Sequence, residues 1–176
     1  MSTFKTLDDL DVQGCKVLVR SDFNVPIHNG KIQDTSRIVR SLPTLNTLIK
    51  KGASVIIISH FGRPEGKVVP EMSLKPVAKA LENVLGRNVI FGDDCIGATA
   101  QKAIDKASSS DVVLLENLRF HSGEESNEDF FADQLAALAD IYINDAFSCA
   151  HRAHASTDAI ARRLPAAAGA LMRAEL

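Results

Sequence analysis

The chain has 176 residues, of which 45% are hydrophobic and 24% are charged, and its formal net charge is -2. This composition is that of a globular protein and excludes disordered and fibrous chains. The nearly neutral charge argues against a nucleic-acid binder, and no apolar run approaches the roughly 20 residues that cross a bilayer. The N-terminus lacks the pattern of a signal peptide, and the three cysteines suggest no disulfide framework. We therefore expect a soluble protein of a reducing compartment that binds neither nucleic acid nor membrane.

Short β-branched segments alternate with segments of helical periodicity along the chain. The first half predicts, in order, a strand at residues 16–20, a turn at 28–30, a helix from Asp34 or Thr35 to about Lys51, a strand at 54–58, and a helix from Ser73 to Gly86. The second half predicts a strand at 88–91, a helix at 97–107, a strand at 111–115, a helix from Asn127 through Leu138, and a strand at 141–143. Gly52 and Gly86 would end their helices in the left-handed conformation. The strands lack apolar–polar alternation, so both of their faces are expected to be covered.

Helices between continuous apolar strands are typical of a parallel α/β sheet. We expect an α/β fold with an open parallel sheet and helices on both faces, which is a Rossmann-like, doubly wound architecture. A closed barrel would need eight strand–helix units, and the chain is too short for them. Residues 1–164 would form this domain. Residues 165–176 would begin a further helix, for which the sequence up to Leu176 gives no stop signal.

Polar and charged residues are concentrated in the loops that follow the predicted strands, where open α/β sheets bind their ligands. They include Asp22, Asn24, His60, Arg63, Glu116, Asn117, Arg119, His121, Asn144, Asp145, His151, Arg152 and His154. Arg37, in the first turn of a helix, is electrostatically unfavourable there unless an anion is bound. Four arginines at one edge would repel one another without a multiply charged ligand, and arginine suits carboxylate and phosphate. The sequence therefore predicts a site for a small phosphorylated anion, with Asp22 and Asn24 suited to a hydroxyl group.

The other chemistry-bearing residues are assigned to structural roles. Five arginines are expected to be solvated or paired with a neighbouring acid: Arg20, Arg40, Arg87, Arg162 and Arg163. Phe130 and Phe131 are expected in the core. Cys149 could be a nucleophile with His151 as its base, but no third group that would orient the histidine stands at a recognisable spacing. We therefore expect an inert, partly buried thiol. His151 and His154 lack an acidic or cysteine partner with fitting spacing, so no metal site is predicted.

The chain contains no glycine-rich phosphate loop of either common type, GxxxxGK[ST] or GxGxxG. A nucleotide site of these types is therefore not predicted.

Six segments resemble the phosphoglycerate kinase family in order and spacing. They are VLVRSDFNVP (17–26), DTSRI (34–38), SHFGRP (59–64), LLENLRF (114–120), NDAF (144–147) and AHRAHAS (150–156). The resemblance implies two α/β domains, of which this chain looks like the N-terminal one, with residues 165–176 as the start of the interdomain helix. That domain binds 3-phosphoglycerate or 1,3-bisphosphoglycerate, and the C-terminal domain, absent here, binds Mg-ATP or Mg-ADP. The implied enzyme is a cytoplasmic, monomeric glycolytic kinase that catalyses 1,3-bisphosphoglycerate + ADP = 3-phosphoglycerate + ATP.

The resemblance also implies a role for each matching residue. The substrate-binding residues would be Asp22, Phe23, Asn24, Arg37, His60, Phe61, Gly62, Arg63, Arg119 and Arg152. Asp22 and Asn24 would contact the hydroxyl end of the substrate. Arg37, the catalytic residue, would contact the carboxyl end and stabilise the transferring charge. The phosphate would be held by His60, Arg63, Arg119 and Arg152.

Ser21, Phe61 and the pair Ser148-Cys149 stand where Val, Leu and Gly-Thr are usual in the family, but none of these differences removes an implied ligand. This chain alone is expected to bind no nucleotide and to lack kinase activity. Two other interpretations stay open: a non-catalytic module that binds small anions, and a flavodoxin-like domain. The second would have acidic or Ser/Thr-rich loops where this chain has arginines.

Overall fold

The computed structural model describes residues 4–176. The strands are β1 (Lys16–Arg20), β2 (Ile27–His28), β3 (Lys31–Ile32), β4 (Ser54–Ile58), β5 (Val89–Gly92), β6 (Val112–Leu115), β7 (Ile141–Asn144) and β8 (Ala166–Ala168). The α-helices are α1 (Ser36–Lys50), α2 (Lys75–Leu85), α3 (Gly97–Lys106), α4 (Ser122–Glu125), α5 (Asp129–Ala136) and α6 (Ala170–Glu175). Short 3-10 turns lie at Leu7–Asp9, Pro70–Met72, Leu118–Phe120, Phe147–Cys149 and Ala159–Arg162. No helix in this described range is long and apolar enough to cross a membrane.

Six of the strands form one parallel sheet in the order β5-β6-β4-β1-β7-β8. From β1 the chain adds β4 and the edge strand β5 on one side, inserts β6 between them, and then crosses to β7 and β8 on the other side of β1. The direction of winding therefore reverses between β1 and β7, and such a reversal opens a crevice at the carboxyl ends of the strands. The two remaining strands, β2 and β3, form a small antiparallel hairpin, at the turn that the sequence predicted.

Both faces of the sheet are covered, as the uninterrupted apolar strands predicted. Val17 and Val19 of β1 belong to one core, which includes residues of α1 and α2, and Leu18 belongs to a second core with residues of α3 and α5. Successive strand side chains point to opposite faces, so a strand packed on both sides must be apolar throughout. The α/β fold with an open, doubly wound parallel sheet is confirmed.

Two of the predicted helix ends are confirmed and two predicted helix starts differ from the structure. Gly52 and Gly86 have φ angles of +84° and +72°, as expected of residues that end a helix. Leu74, and not Ser73, is the N-cap of α2, although the Ser73 hydroxyl accepts a hydrogen bond from the N–H of Lys75. The prediction that Asn127 caps α5 was wrong, because Glu128 is the N-cap. The Asn127 carboxamide instead donates to the Asp158 carboxylate and accepts from the N–H of Ala159.

The C-terminal segment differs from its predicted form. Ala166–Ala168 is the outermost strand of the sheet, paired with β7, and the helix begins only at Ala170. The sheet thus extends beyond the predicted boundary at residue 164. Alanine has little preference for strands, so pairing with the exposed edge of β7, and not local sequence, accounts for β8.

Phe130 was wrongly assigned to the core. It is 66% exposed, whereas Phe131 is buried beside α4. Adjacent residues of a helix point about 100° apart, so only one member of a Phe-Phe pair can face a core that covers a single side of α5.

Candidate functional site

The loops that follow β1, β4, β6 and β7 meet at one edge of the sheet, here called the carboxyl edge. Hydrogen bonds join these loops through Gly62: its N–H donates to Oδ1 of Asn24 at 3.0 Å, and its carbonyl accepts from Arg119 at 2.9 Å. Gly62 has a φ of +63°, and a Cβ atom would lie 3.0 Å from the sulfur of Met72. The site residues predicted after three different strands are therefore held together at a glycine that has little space for a side chain.

Asn117, which was expected at this edge without a specific role, organises this loop cluster. Its carboxamide is buried; Oδ1 accepts from the N–H groups of Phe61 and Arg119, and Nδ2 donates to the carbonyls of Phe61 and Met72. All four bonds are to backbone, so Asn117 fixes the shape of the loops and has no capacity left for a ligand.

Arg37 and Asp22 form an ion pair at the crevice between β1 and β7. Nη1 of Arg37 lies 3.0 Å from both carboxylate oxygens of Asp22 and donates to the carbonyl of Asn24 at 2.9 Å. Ser148 donates a hydrogen bond of 2.5 Å to the same carboxylate. Burial acts to raise the pKa of Asp22, but the bonds from Ser148 and the Asn24 N–H, with the charge of Arg37, lower it below its usual 3.8. Asp22 is therefore a carboxylate that positions Arg37.

Arg20 was wrongly assigned to the solvated arginines, because its side chain is fully buried. Its Nε donates to Oγ of Ser156 at 2.8 Å, and its Nη2 lies 3.0 Å from Nδ1 of His60. Ser156 in turn donates to the buried carboxylate of Glu124. A buried cation needs such partners, and the position of Arg20 at the end of an apolar strand was the signal that could have revealed its burial.

His60 is also buried, 6% exposed, and neutral. Burial and the charges of Arg20 and Arg119 lower its pKa from 6.5 to about 3. Because a guanidinium cannot accept a hydrogen bond, Nδ1 of His60 must be the acceptor from Arg20, and the ring proton lies on Nε2. His60 is therefore a hydrogen-bond donor at this edge and cannot act as a cation.

Arg119 is 5% exposed at the centre of the carboxyl edge. Its Nε lies 3.1 Å from a carboxylate oxygen of Glu125 without the geometry of a hydrogen bond. Burial lowers the pKa of Arg119, and Glu125 opposes this effect. The guanidinium nevertheless stays charged, because an arginine loses its proton only far above neutral pH.

Arg63 and Arg152 are exposed, and neither forms an ion pair with a carboxylate within residues 4–176. Arg152 lies close enough to His60 and Arg119 for its charge to lower the pKa values of both. The carboxyl edge therefore carries more positive charge than its own acids neutralise.

Two predicted ligands have limited access to this surface. The side chain of Phe23 is fully buried in the core, and that of Phe61 packs against the same core. The N–H of Phe23 donates to Ser59 and that of Phe61 donates to Asn117. Neither main-chain donor is therefore free for an anion, and substrate binding by these two residues stays a prediction.

A pocket of about 220 Å³ lies at the crevice between β1 and β7. Its lining includes Asp22, Arg37, Ser148 and Asp145, together with residues of α6. Oδ1 of Asp145 accepts from the N–H groups of the first turn of α6, whereas Oδ2 is buried without a hydrogen-bond partner among the residues described. Burial raises the pKa of Asp145 to about 6.

Cys149 is buried, with its sulfur 3.8 Å from Nδ1 of His60. That nitrogen already accepts a hydrogen bond from Arg20, so it cannot take up a thiol proton, which supports the expectation of an inert thiol.

His151 is exposed and His154 is half-buried. A different trio, Asp94, Cys95 and His121, brings its potential metal-ligand atoms within 4.8 Å of one another.

The chain was compared with known proteins. The sequence model of the family "Phosphoglycerate kinase" matches residues 7–176. The chain is 57% identical over 173 residues to phosphoglycerate kinase of Rhodospirillum centenum and 56% identical over 173 residues to that of Ruegeria sp.; it covers 44% of each relative, and each match covers 98% of this chain. It therefore spans less than half the length of these curated relatives.

Solved structures agree with the sequence comparison. Phosphoglycerate kinase from Coxiella burnetii superposes with a TM-score of 0.88 at 41% identity, over 98% of this chain and 43% of that one. Phosphoglycerate kinase from Pyrococcus horikoshii superposes with a TM-score of 0.88 at 33% identity, over 97% of this chain and 44% of that one. On these grounds the chain belongs to the phosphoglycerate kinase family.

Proposed function

We propose that this chain supplies the 3-phosphoglycerate-binding site of a phosphoglycerate kinase, which catalyses 1,3-bisphosphoglycerate + ADP = 3-phosphoglycerate + ATP. Family membership supports the reaction, and the carboxyl edge supports the assignment of the acidic substrate to this part of the enzyme. Residues 1–164, together with the edge strand β8, would form the substrate domain, and α6 would lead to the nucleotide-binding domain. The cytoplasm is the location that a glycolytic role implies, and the enzyme would act as a monomer.

The observation that carries the proposal is the excess of positive charge at the carboxyl edge. Arg119 is buried there, His60 presents a neutral N–H, and Arg63 and Arg152 are without carboxylate partners in the described part of the chain. The positive charge of Arg152 acts on Arg119, and such like charges repel one another unless a polyanion binds between them. A phosphate offers several acceptor oxygens and matches guanidinium groups through paired hydrogen bonds.

Arg37 is the proposed catalytic residue. Asp22 and the Asn24 carbonyl hold it through Nη1 alone, so Nη2 and Nε remain for the carboxyl end of the substrate. Phosphoryl transfer depends mainly on positioning and on cations that stabilise the charge of the transferring group. In this arrangement Asp22 positions Arg37, in addition to its proposed contact with a substrate hydroxyl.

Mg-ATP and Mg-ADP do not fit the residues of the carboxyl edge. Magnesium prefers carboxylate and water oxygens, and the carboxylate of Asp22 is already engaged by Arg37 and Ser148. We therefore assign the nucleotide and its metal to the second domain of the family, and we expect this chain alone to bind 3-phosphoglycerate and to lack kinase activity.

Isothermal titration calorimetry tests the proposal. The chain should show saturable binding of 3-phosphoglycerate that weakens as salt increases, because the contacts are charge-assisted. Mg-ATP should give no saturable heat under the same conditions. Tight Mg-ATP binding with no response to 3-phosphoglycerate would overturn the assignment.

A further inference from the structure

A second cluster of chemically reactive side chains lies at the β5 end of the carboxyl edge, where His121 follows Arg119 by two residues. Asp94 and Cys95 follow β5, and His121 follows the 3-10 turn after β6. Since β5 and β6 are neighbours in the parallel sheet, the segments after them meet at the same end. One potential ligand atom from each of the three residues lies within 4.8 Å of the other two.

The side chains of Asp94 and His121 are held in place before any ligand arrives. Nε2 of His121 lies 2.7 Å from Oδ1 of Asp94, and the N–H of Cys95 donates to the same oxygen at 2.7 Å. The ring of His121 also packs against Phe131, with 5.3 Å between ring centroids. Side chains fixed in this way lose little conformational freedom on binding.

Cys95 is the buried member of the three and borders the second core. Its side chain is fully buried, and its thiol makes no hydrogen bond or disulfide with another residue in the range 4–176. Asp94 and His121 are about one-third exposed, at 39% and 31% of their side-chain areas. The cluster therefore joins a buried sulfur to two side chains that solvent reaches.

We propose that Asp94, Cys95 and His121 form a binding site for a zinc-like divalent cation. Sulfur, imidazole nitrogen and carboxylate oxygen together are ligands that zinc accepts and that magnesium does not prefer. Three protein ligands would leave the fourth tetrahedral position to water at the exposed side. On binding, the Cys95 thiol releases its proton to solvent and coordinates as thiolate, and the imidazole binds in its neutral form. The site uses none of the residues that the proposed function assigns to the substrate.

Cobalt(II) is the probe that tests this site, because a thiolate bound to it gives a charge-transfer absorption band and tetrahedral coordination gives intense visible bands. Titration of the reduced chain with Co²⁺ should produce both signals at a stoichiometry of one, and Zn²⁺ should abolish them while Mg²⁺ does not. Thermal unfolding should move to higher temperature with Zn²⁺, because an ion that binds only the folded chain stabilises it.

Matched variants distinguish this site from the other thiols. Cys95→Ser should remove the charge-transfer band, and His121→Gln and Asp94→Asn should weaken Co²⁺ binding at least about tenfold, the smallest loss seen even for residues that only support metal ligands. Cys15→Ser and Cys149→Ser should leave the spectrum unchanged. Absence of a thiolate band in the parent chain would overturn the proposal, as would a band that persists in His121→Gln and Asp94→Asn or disappears in Cys15→Ser. If Cys95→Ser does not fold, the two partly exposed ligands decide the result.

Discussion

Nη2 of Arg20 donates a hydrogen bond to Nδ1 of His60 over 3.0 Å. Because the arginine can only donate, this one contact determines which ring nitrogen of His60 carries the proton. It also places a permanent positive charge beside the imidazole, so that protonation of the ring is unfavourable. A buried strand residue thereby sets the chemistry of a side chain at the carboxyl edge.

The lowered pKa of His60 predicts a loss of stability in acid. The ring titrates at about 3 in the folded chain and near 6.5 when unfolded, so between these values the unfolded chain binds a proton that the folded chain does not. The contribution of His60 to stability is therefore complete above about pH 6.5 and decreases as the pH falls, by about 1.4 kcal/mol per pH unit at most.

Urea unfolding of the parent chain and of His60→Gln measures this effect. Glutamine can still accept a hydrogen bond from Arg20 but does not titrate. We expect the variant to gain up to about 2 kcal/mol relative to the parent between pH 6.5 and pH 5. Equal pH dependence in both proteins would show that His60 titrates normally.

Asp145 should have the opposite pH dependence. Burial raises its pKa from 3.8 to about 6, so between these values the folded chain binds a proton that the unfolded chain does not. This stabilisation is complete below about pH 3.8 and is lost as the pH rises through 6, by up to about 3 kcal/mol in total. Asp145→Asn removes the titration and keeps an oxygen for the N–H groups of α6.

We expect Asp145→Asn to lose stability relative to the parent as the pH is lowered from 7 to 4, again measured by urea unfolding. Asp140→Asn is a control, because this carboxylate also accepts a backbone N–H, from Lys16, but is more exposed. If the control and Asp145→Asn gave the same pH profile, burial of the Asp145 carboxylate would not be the cause.

The sequence was most informative about features set by local chemistry. The apolar runs of β1 and β4 predicted a sheet covered on both faces, and the positive φ angles of Gly52 and Gly86 agree with their predicted role at helix ends. The arginine-rich loops could be placed at one edge because parallel strands direct their carboxyl ends to the same side.

Features that depend on strand order could not be predicted in this way. The proximity of Cys95 to His121 follows from the pairing of β5 with β6, which no local pattern encodes. The burial of Arg20 depends on Ser156, which is 136 residues away in sequence. β8 contains only alanines and forms because β7 has a free edge.

Arg63→Ala tests the exposed part of the proposed phosphate site. If Arg63 holds the phosphate, the variant should bind 3-phosphoglycerate with an affinity lower by more than about 1.5 kcal/mol, the low end for a hydrogen bond to a charged group. Arg87→Ala is the control, since Arg87 is a half-buried arginine that donates to the Ser110 carbonyl, outside the carboxyl edge. A loss within about 0.5 kcal/mol, typical of surface substitutions, would remove Arg63 from the site.

Arg37 and Arg152 should affect different kinetic constants in an enzyme that also contains the nucleotide-binding domain. Arg37→Ala should lower kcat sharply with a smaller effect on KM, because its contact strengthens as charge develops in the transition state. Arg152→Ala should mainly raise KM, because it would hold a remote phosphate equally throughout the reaction. An Arg37→Ala enzyme with the parent kcat and only a higher KM would make Arg37 a binding residue.

The central claim, that the carboxyl edge binds 3-phosphoglycerate, is tested most directly by NMR spectroscopy of the ¹⁵N-labelled chain. On titration with 3-phosphoglycerate, we predict the largest amide shifts at Gly62, Arg119 and the loop that contains Arg152, with a change in the Nε2–H signal of His60. Arg63→Ala should reduce these shifts at equal ligand concentration. Shifts confined to other surfaces, or no saturable shift at the carboxyl edge, would contradict the account.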